Sequence, residues 1–259
     1  MAFGRVQWLA FAGLLLQCSV PAAAQQALPG VDRHWLASFS GVDVSPDAYY
    51  VYQGAIIALN RDLSKDGVVV RLFGGLGSYQ YDESAVPGGV VDGDVRQFDG
   101  MLGYRATLAG VYTGVYVGVD YQNHKLRPHD PTNPVSGSEA GFKIAADLES
   151  NRERTGLYYS FDGSYSTAFD SYWARGRVGY STGRIVFGPE AIALGNEGYD
   201  GTRIGGFVSW TTQLNPWVPL ELTLSVGHQH IRDDDGGGGI GANGGGNGMY
   251  GGVNFGLVF

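Results

Sequence analysis

From about residue 35 onward, apolar and polar positions alternate with a period of two, the spacing of strands whose two faces meet different surroundings. In Arg96–Leu108, one face carries Phe98, Gly100, Leu102, Tyr104, Ala106 and Leu108, and the other carries Gln97, Asp99, Arg105 and Thr107. Val115, Val117, Val119 and Tyr121 stand against Tyr116, Asp120 and Gln122, and Phe142, Ile144, Ala146 and Leu148 against Lys143, Asp147 and Glu149. Further on, Tyr172, Ala174, Val178 and Tyr180 oppose Arg175 and Arg177, and Leu220, Leu222, Leu224 and Val226 oppose Glu221, Thr223 and Ser225. Such runs predict twelve strands, at 35–44, 48–60, 68–81, 96–108, 111–123, 138–149, 157–165, 171–181, 185–196, 202–212, 220–231 and 249–259. Most exceed the ~5–6 residues usual in soluble sheets and reach the ~9–11 that a tilted membrane strand needs. Pro189 and Glu190 interrupt the pattern in 185–196 and predict a bulge or kink there.

The connections add a second signal. Counted from the amino end, the odd ones include the long segments 82–95, 124–137 and 232–248, whereas the even ones are short: 61–67, 109–110, 150–156, 182–184 and 213–219. Short turns on one side and long loops on the other are the habit of outer-membrane barrels. Charges facing lipid would cost ~2–4 kcal/mol each near the midplane, so the polar face belongs inside. That assigns Asp99, Arg105, Asp120, Lys143, Asp147, Glu149, Arg177, Arg203 and Glu221 to a hydrated lumen in which opposite charges pair. A closed ring also leaves no unpaired backbone edge in hydrocarbon. The expectation is an all-β, antiparallel outer-membrane barrel over 25–259.

Both ends of the chain agree with export. Arg5, an apolar run from Val6 to Leu16 and the small residues Ala22–Ala24 predict a cleavable signal peptide at 1–24. Cys18 offers a lipidated alternative, but Gln17 stands where a small residue should precede such a cysteine. The last strand ends on Phe259 and resembles the C-terminal signal read by the barrel-insertion machinery. Losing Arg5 from the seventeen basic residues, against twenty-five acidic ones, moves the net charge from −8 to −9 and argues against nucleic acid. The 43 glycines fit neither a Gly-X-Y repeat nor disorder in a chain that is 13% aromatic.

Five segments resemble the cellulose biosynthesis protein BcsS family: SGVDVSPDAYYVYQGAIIALNRDLSKDGV (40–68), DPTNPVSGS (130–138), GFKIAADLESN (141–151), YSTAFDSYWARGRVGYS (165–181) and GPEAIALGNEGYDGTRIGGFVS (188–209). The resemblance implies an outer-membrane or periplasmic accessory role in making or exporting cellulose, with cellulose and the synthase complex as partners. It implies no catalytic residue and no cofactor.

Candidate chemistry is sparse. Flat rings at strand ends suit glucose faces, which singles out Trp173, Tyr199 and Tyr81, with Asp170, Asp200 and Arg175 for hydroxyls. Against this stands the aromatic girdle that every such barrel carries, to which Tyr172 belongs by parity. His228, His230 and Asp233–Asp235 have the composition but not the pattern of a metal site. A lipid hydrolase would need His228 beside Thr202 and a third orienting group that the sequence does not identify. Two functions remain: a non-enzymatic accessory that anchors or guides the glucan, or a small pore without glycan specificity.

Overall fold

The computed structural model describes residues 34–232 and 246–259. The expected signal peptide, Asp233–Asp235 and most of the glycine-rich loop lie outside them. Twelve strands follow in order: β1 (Leu36–Ser45), β2 (Ala48–Ala58), β3 (Gly67–Asp82), β4 (Val90–Leu108), β5 (Val111–Arg127), β6 (Gly137–Ser150), β7 (Gly156–Ser166), β8 (Tyr172–Ser181), β9 (Ile185–Asn196), β10 (Tyr199–Asn215), β11 (Val218–Arg232) and β12 (Gly248–Val258). Each pairs antiparallel with its sequence neighbours, and β1 pairs with β12 to close the barrel. Phe259 fastens that seam: its carbonyl accepts from the Trp35 and Leu36 N–H groups at 2.7 and 3.1 Å, and its own N–H donates to Leu36.

The expected bulge at Pro189 does not form. β9 holds one register against β10 from Asn196 opposite Tyr199 to Ile185 opposite Trp210. The pairing with β8 keeps its register too, and only the positions of Gly188 and Pro189 drop out of it. The missing proline N–H costs a ladder bond, not a residue of register.

The connections sort less sharply than the sequence reading had them. β4 begins at Val90 and β5 runs to Arg127, so the segments expected as loops at 82–95 and 124–137 shrink to 83–89 and 128–136. The strands β3, β4 and β5 therefore project at the end away from the chain termini. That is the far end of the barrel, and the end holding the termini is the near end.

The outer surface of the wall is apolar. Val115, Val117 and Val119 are each about 60% exposed, and Phe98, Leu102, Ile144 and Ile204 continue the band. Rings border it on both sides: Trp35, Tyr104, Tyr180, Trp210 and Trp217 toward the near end, and Tyr49, Tyr121, Tyr165 and Tyr172 toward the far end.

The inner surface explains part of the glycine content. Rings lie flat on the wall over inward-facing glycines, Tyr50 over Gly75 and Gly77, Tyr52 over Gly41, Phe39 over Gly54, Tyr79 over Gly93 and Tyr116 over Gly103. A Cβ on Gly75 would fall inside the Tyr50 ring, and one on Gly41 would meet both Tyr52 and the Val253 carbonyl at 2.8 Å. Neighbouring rings are nearly parallel, as in Tyr52 and Phe73 (6.1 Å, 21°) and Phe39 and Phe73 (6.5 Å, 25°). The aromatic sector of the interior is thus packed against β1–β4.

Candidate functional site

Every charge that the pattern assigned to the interior does face inward, but water does not surround them. Asp99, Arg105, Asp120, Lys143, Glu149, Arg177, Arg203 and Glu221 are all buried, and Asp147 nearly so. The expected hydrated lumen is instead filled, because the rings over the glycines and the long cationic side chains occupy its cross-section. Lys143 Nζ lies 2.7 Å from Asp99 and 3.6 Å from Asp120, and Gln97 and Gln122 donate further amide hydrogen bonds to Asp120. Arg177 pairs with Glu190 at 2.8 Å, which also accepts from Tyr250 at 2.9 Å. Arg203 bridges Asp43 at 2.8 Å and Gln229 at 2.7 Å while lying over the Tyr250 ring. Arg105 is 3.9 Å from Asp147.

Several interior charges escaped the sequence reading. Asp43, Arg71, Asp162 and Glu190 have inward parity and are buried, so parity in their strands could have found them. Arg152 could not be found that way. It belongs to the turn between β6 and β7, yet it folds back inside to reach Glu221 at 2.5 Å and Glu149 at 3.6 Å. Leu63, from the turn after β2, is also buried, its N–H donating to His34 at 2.7 Å. These two turns close the near end.

The far end is closed by a loop. Residues 128–136, between β5 and β6, reach Tyr81 of β3 on one side: the Tyr81 hydroxyl donates to Asp130 Oδ2 at 2.8 Å, and Asn133 Nδ2 donates to the Tyr81 oxygen at 2.7 Å. On the other side, Val135 packs against Gly198 in the turn between β9 and β10. The loop is held in shape by Asp130, whose Oδ1 accepts from the Thr132 N–H and hydroxyl, and by Asn133, which accepts from the Val135 N–H. Burial pushes the Asp130 carboxyl up, but the hydrogen bonds from Thr132 and Tyr81 outweigh it and hold its pKa below the ordinary value of 3.8.

The three rings expected at strand ends are buried at this end of the barrel. Trp173 is 2% exposed, Tyr81 3% and Tyr199 4%. Tyr199 is not in a loop but opens β10, and its parity turns it inward. Arg175 is buried deeper, stacked over Trp173 at 5.2 Å and 3.4 Å from Asp162. Asp170 and Asp200 face outward, each accepting from a rim tyrosine, Tyr165 and Tyr172 respectively. The six residues therefore do not form one open site. The alternation did not single out His124, whose Nδ1 is 3.1 Å from the Tyr79 hydroxyl, or Phe169, which meets the His124 ring edge-on at 5.2 Å.

Residues 37–259 match the family described as "Cellulose biosynthesis protein BcsS". The chain belongs to the BcsS family. No curated protein matches it. Among solved structures, CdiB from Acinetobacter baumannii is similar with a TM-score of 0.37 and 10% identity, over 90% of this chain and 61% of that one. The BcsS chain thus spans under two thirds of that protein's length.

The remaining surface of the BcsS barrel is charged mainly at the far end. Asp82, Asp92, Asp94, Glu139, Asp170, Glu197 and Asp200 outnumber Arg96, Lys125, Arg127 and Arg232 there. Partial burial, then the nearby Glu139 and Asp170, raise the Glu197 carboxyl above its ordinary range. Thr202 stands opposite His230, while His228 stands opposite Ile204. His228 and Thr202 are therefore diagonal neighbours on adjacent strands, not a directly opposed pair.

Proposed function

We propose that this barrel is a non-enzymatic outer-membrane accessory of cellulose biosynthesis that anchors or guides the glucan at the cell surface. The observation that carries the reading is a family match over nearly the whole barrel, joined to a wall that is apolar outside and ion-paired inside. On that reading, lipid covers the apolar band, aromatic rings mark its borders, and the chain termini with their short turns face the periplasm. Phe259, at the end of the closing strand, fits recognition by the insertion machinery. An acidic far end repels anionic polymers and tolerates a neutral glucan.

A passive pore is the weaker reading. Side chains fill the interior, Arg152 and Leu63 close one end, and residues 128–136 close the other. Purified protein in planar bilayers is expected to show no steady conductance. Fractionation with heat-modifiable gel migration tests the compartment and the closed barrel together. Deletion of the protein is expected to alter cellulose amount, export or surface attachment, and unchanged values of all three would sink the proposed role.

A further inference from the structure

Tyr165 of β7 and Tyr172 of β8 are register partners on the outer face, at the far-end tips of their strands, so their Cβ atoms stand about 4.5–5.5 Å apart. Both hydroxyls are tied down by carboxylates. Tyr165, 40% exposed, donates to Asp170 Oδ1 at 2.6 Å. Tyr172 reaches sideways across β9 and donates to Asp200 of β10. Gly195 permits that reach, because it stands opposite Tyr172 on one side and Asp200 on the other. A Cβ on Gly195 would lie 2.7 Å from the Tyr172 ring and 2.8 Å from its hydroxyl. The ring therefore lies along the wall, over the glycine. One step toward the apolar band, the register partners Ala174, Ala193 and Thr202 are small and leave a shallow strip across β8, β9 and β10.

A tyrosine that only marks a bilayer border meets water and headgroups with its hydroxyl. These two are fixed by side chains of neighbouring elements, and the carboxylates that fix them repel the phosphates of a lipid headgroup. A carboxylate offers about four lone-pair sites. Asp170 is exposed and Asp200 partly so, and each retains acceptor capacity beyond its bond from the tyrosine. With Glu197 close to Asp170, this surface disfavours an anionic ligand. Among the described residues, no group of three or more His, Cys, Asp or Glu is placed to hold a metal ion. The ligand that fits donates hydrogen bonds, carries no negative charge and lays a flat apolar face on a ring. A sugar ring with equatorial hydroxyls meets all three conditions. Because side chains fill the interior, a polymer finds its route along this outer strip and not along the axis.

We infer that Tyr165, Tyr172, Asp170 and Asp200 form an external docking platform for a neutral β-linked glucan, which passes over the tips of β7–β10. This rests on the proposed glucan-handling role and gives it a site.

The test uses full-length protein folded in detergent micelles, with cellohexaose as the probe and maltohexaose as the control, read by calorimetry. Tyr165→Ala and Tyr172→Ala are each expected to weaken cellohexaose binding on the order of tenfold. Tyr121→Ala is the comparison: its ring borders the same side of the band but its hydroxyl donates to Ser138 instead of a carboxylate, and binding is expected to stay unchanged. Asp200→Asn keeps the size of the side chain and an acceptor for Tyr172 while removing the charge, and is expected to weaken binding about threefold to tenfold. It reads the platform even where loss of a ring prevents folding, which heat-modifiable migration reports. If cellohexaose binds but these substitutions leave its affinity unchanged, or Tyr121→Ala weakens it as much, the platform is overturned and glucan contact lies elsewhere on the protein. Absence of cellohexaose binding by the parent protein, or equal binding of maltohexaose, overturns it too. The accessory role is then judged separately, by the deletion phenotype.

Discussion

Lys143→Met removes the one cation between two carboxylates that face each other across strands. Asp99 of β4 and Asp120 of β5 are register partners, an arrangement in which like charges repel. Lys143 of β6 neutralises the pair from 2.7 and 3.6 Å, with all three side chains fully buried. Removing one partner of a buried ion pair costs about 3–5 kcal/mol, because the remaining charge stays desolvated. That is a large part of the ~5–15 kcal/mol typical of a folded domain. The two acids are not equally exposed to the loss, since Asp120 keeps amide hydrogen bonds from Gln97 and Gln122. Asp99 is the side chain left stranded. Lys143→Met combined with Asp99→Asn should therefore recover most of the lost stability, and Asp99→Asn alone should cost less than Lys143→Met. The assay is urea unfolding of the micelle-folded protein, followed by fluorescence and by the folded-to-unfolded gel shift. A Lys143→Met barrel within about 1 kcal/mol of the parent, a small fraction of the buried-pair penalty, would refute the reasoning. A double variant as unstable as the single one would do the same.

Three further outcomes can be measured. Val117→Arg, in the centre of the apolar band, should destabilise the barrel by ~2–4 kcal/mol in lipid, whereas Lys125→Ala on the projecting part of the same strand should be near neutral; equal effects would contradict the placement of the band. Gly75→Ala should cost about 1–3 kcal/mol by driving the Tyr50 ring off the wall, and the cost should shrink in a Tyr50→Leu background; additive losses would show that the ring and the glycine are not coupled. The Asp130 carboxyl sits below its ordinary 3.8 in the folded protein, so its contribution is complete above that value and lost as pH falls through the folded value. Amide protection of residues 128–136, corrected for intrinsic exchange, should hold from pH 7 to pH 5 and fail only in stronger acid; loss of protection by pH 5 would show that the Asp130 carboxylate does not hold the loop.

Strand parity carried the fold because lipid and protein interior impose opposite chemistry on alternate positions. It failed where one of those surroundings changes. In β4 and β5 the outward residues Asp92, Asp94, Arg96, Lys125 and Arg127 become polar beyond Phe98 and Tyr121, since the sheet there has left the apolar band. The outward apolar signal stops while the hydrogen-bonded ladder continues, and the strands read as loops. Parity also gives direction without distance. With Tyr172 outward, the alternation turns Trp173 inward, but nothing in it announces that residues 128–136 reach across the mouth from Tyr81 to Gly198. Arg152 and Leu63 were illegible for a related reason: turn residues have no period, and both fold into the barrel to meet partners far along the chain.

The relative strengths of these contacts indicate which part of the molecule can move. Opening a path along the axis would require separating buried pairs such as Arg177 from Glu190 and Arg203 from Asp43, each at about 3–5 kcal/mol. It would also strip rings from the glycine wall that holds them. Lifting residues 128–136 breaks two hydrogen bonds at Tyr81, each worth about 0.5–1.5 kcal/mol, and exposes the buried Asp130 and Val135. The ion-paired interior is therefore the rigid part of the barrel, and residues 128–136, tied across the far end through the Tyr81 hydroxyl, are joined to it by individually weaker bonds.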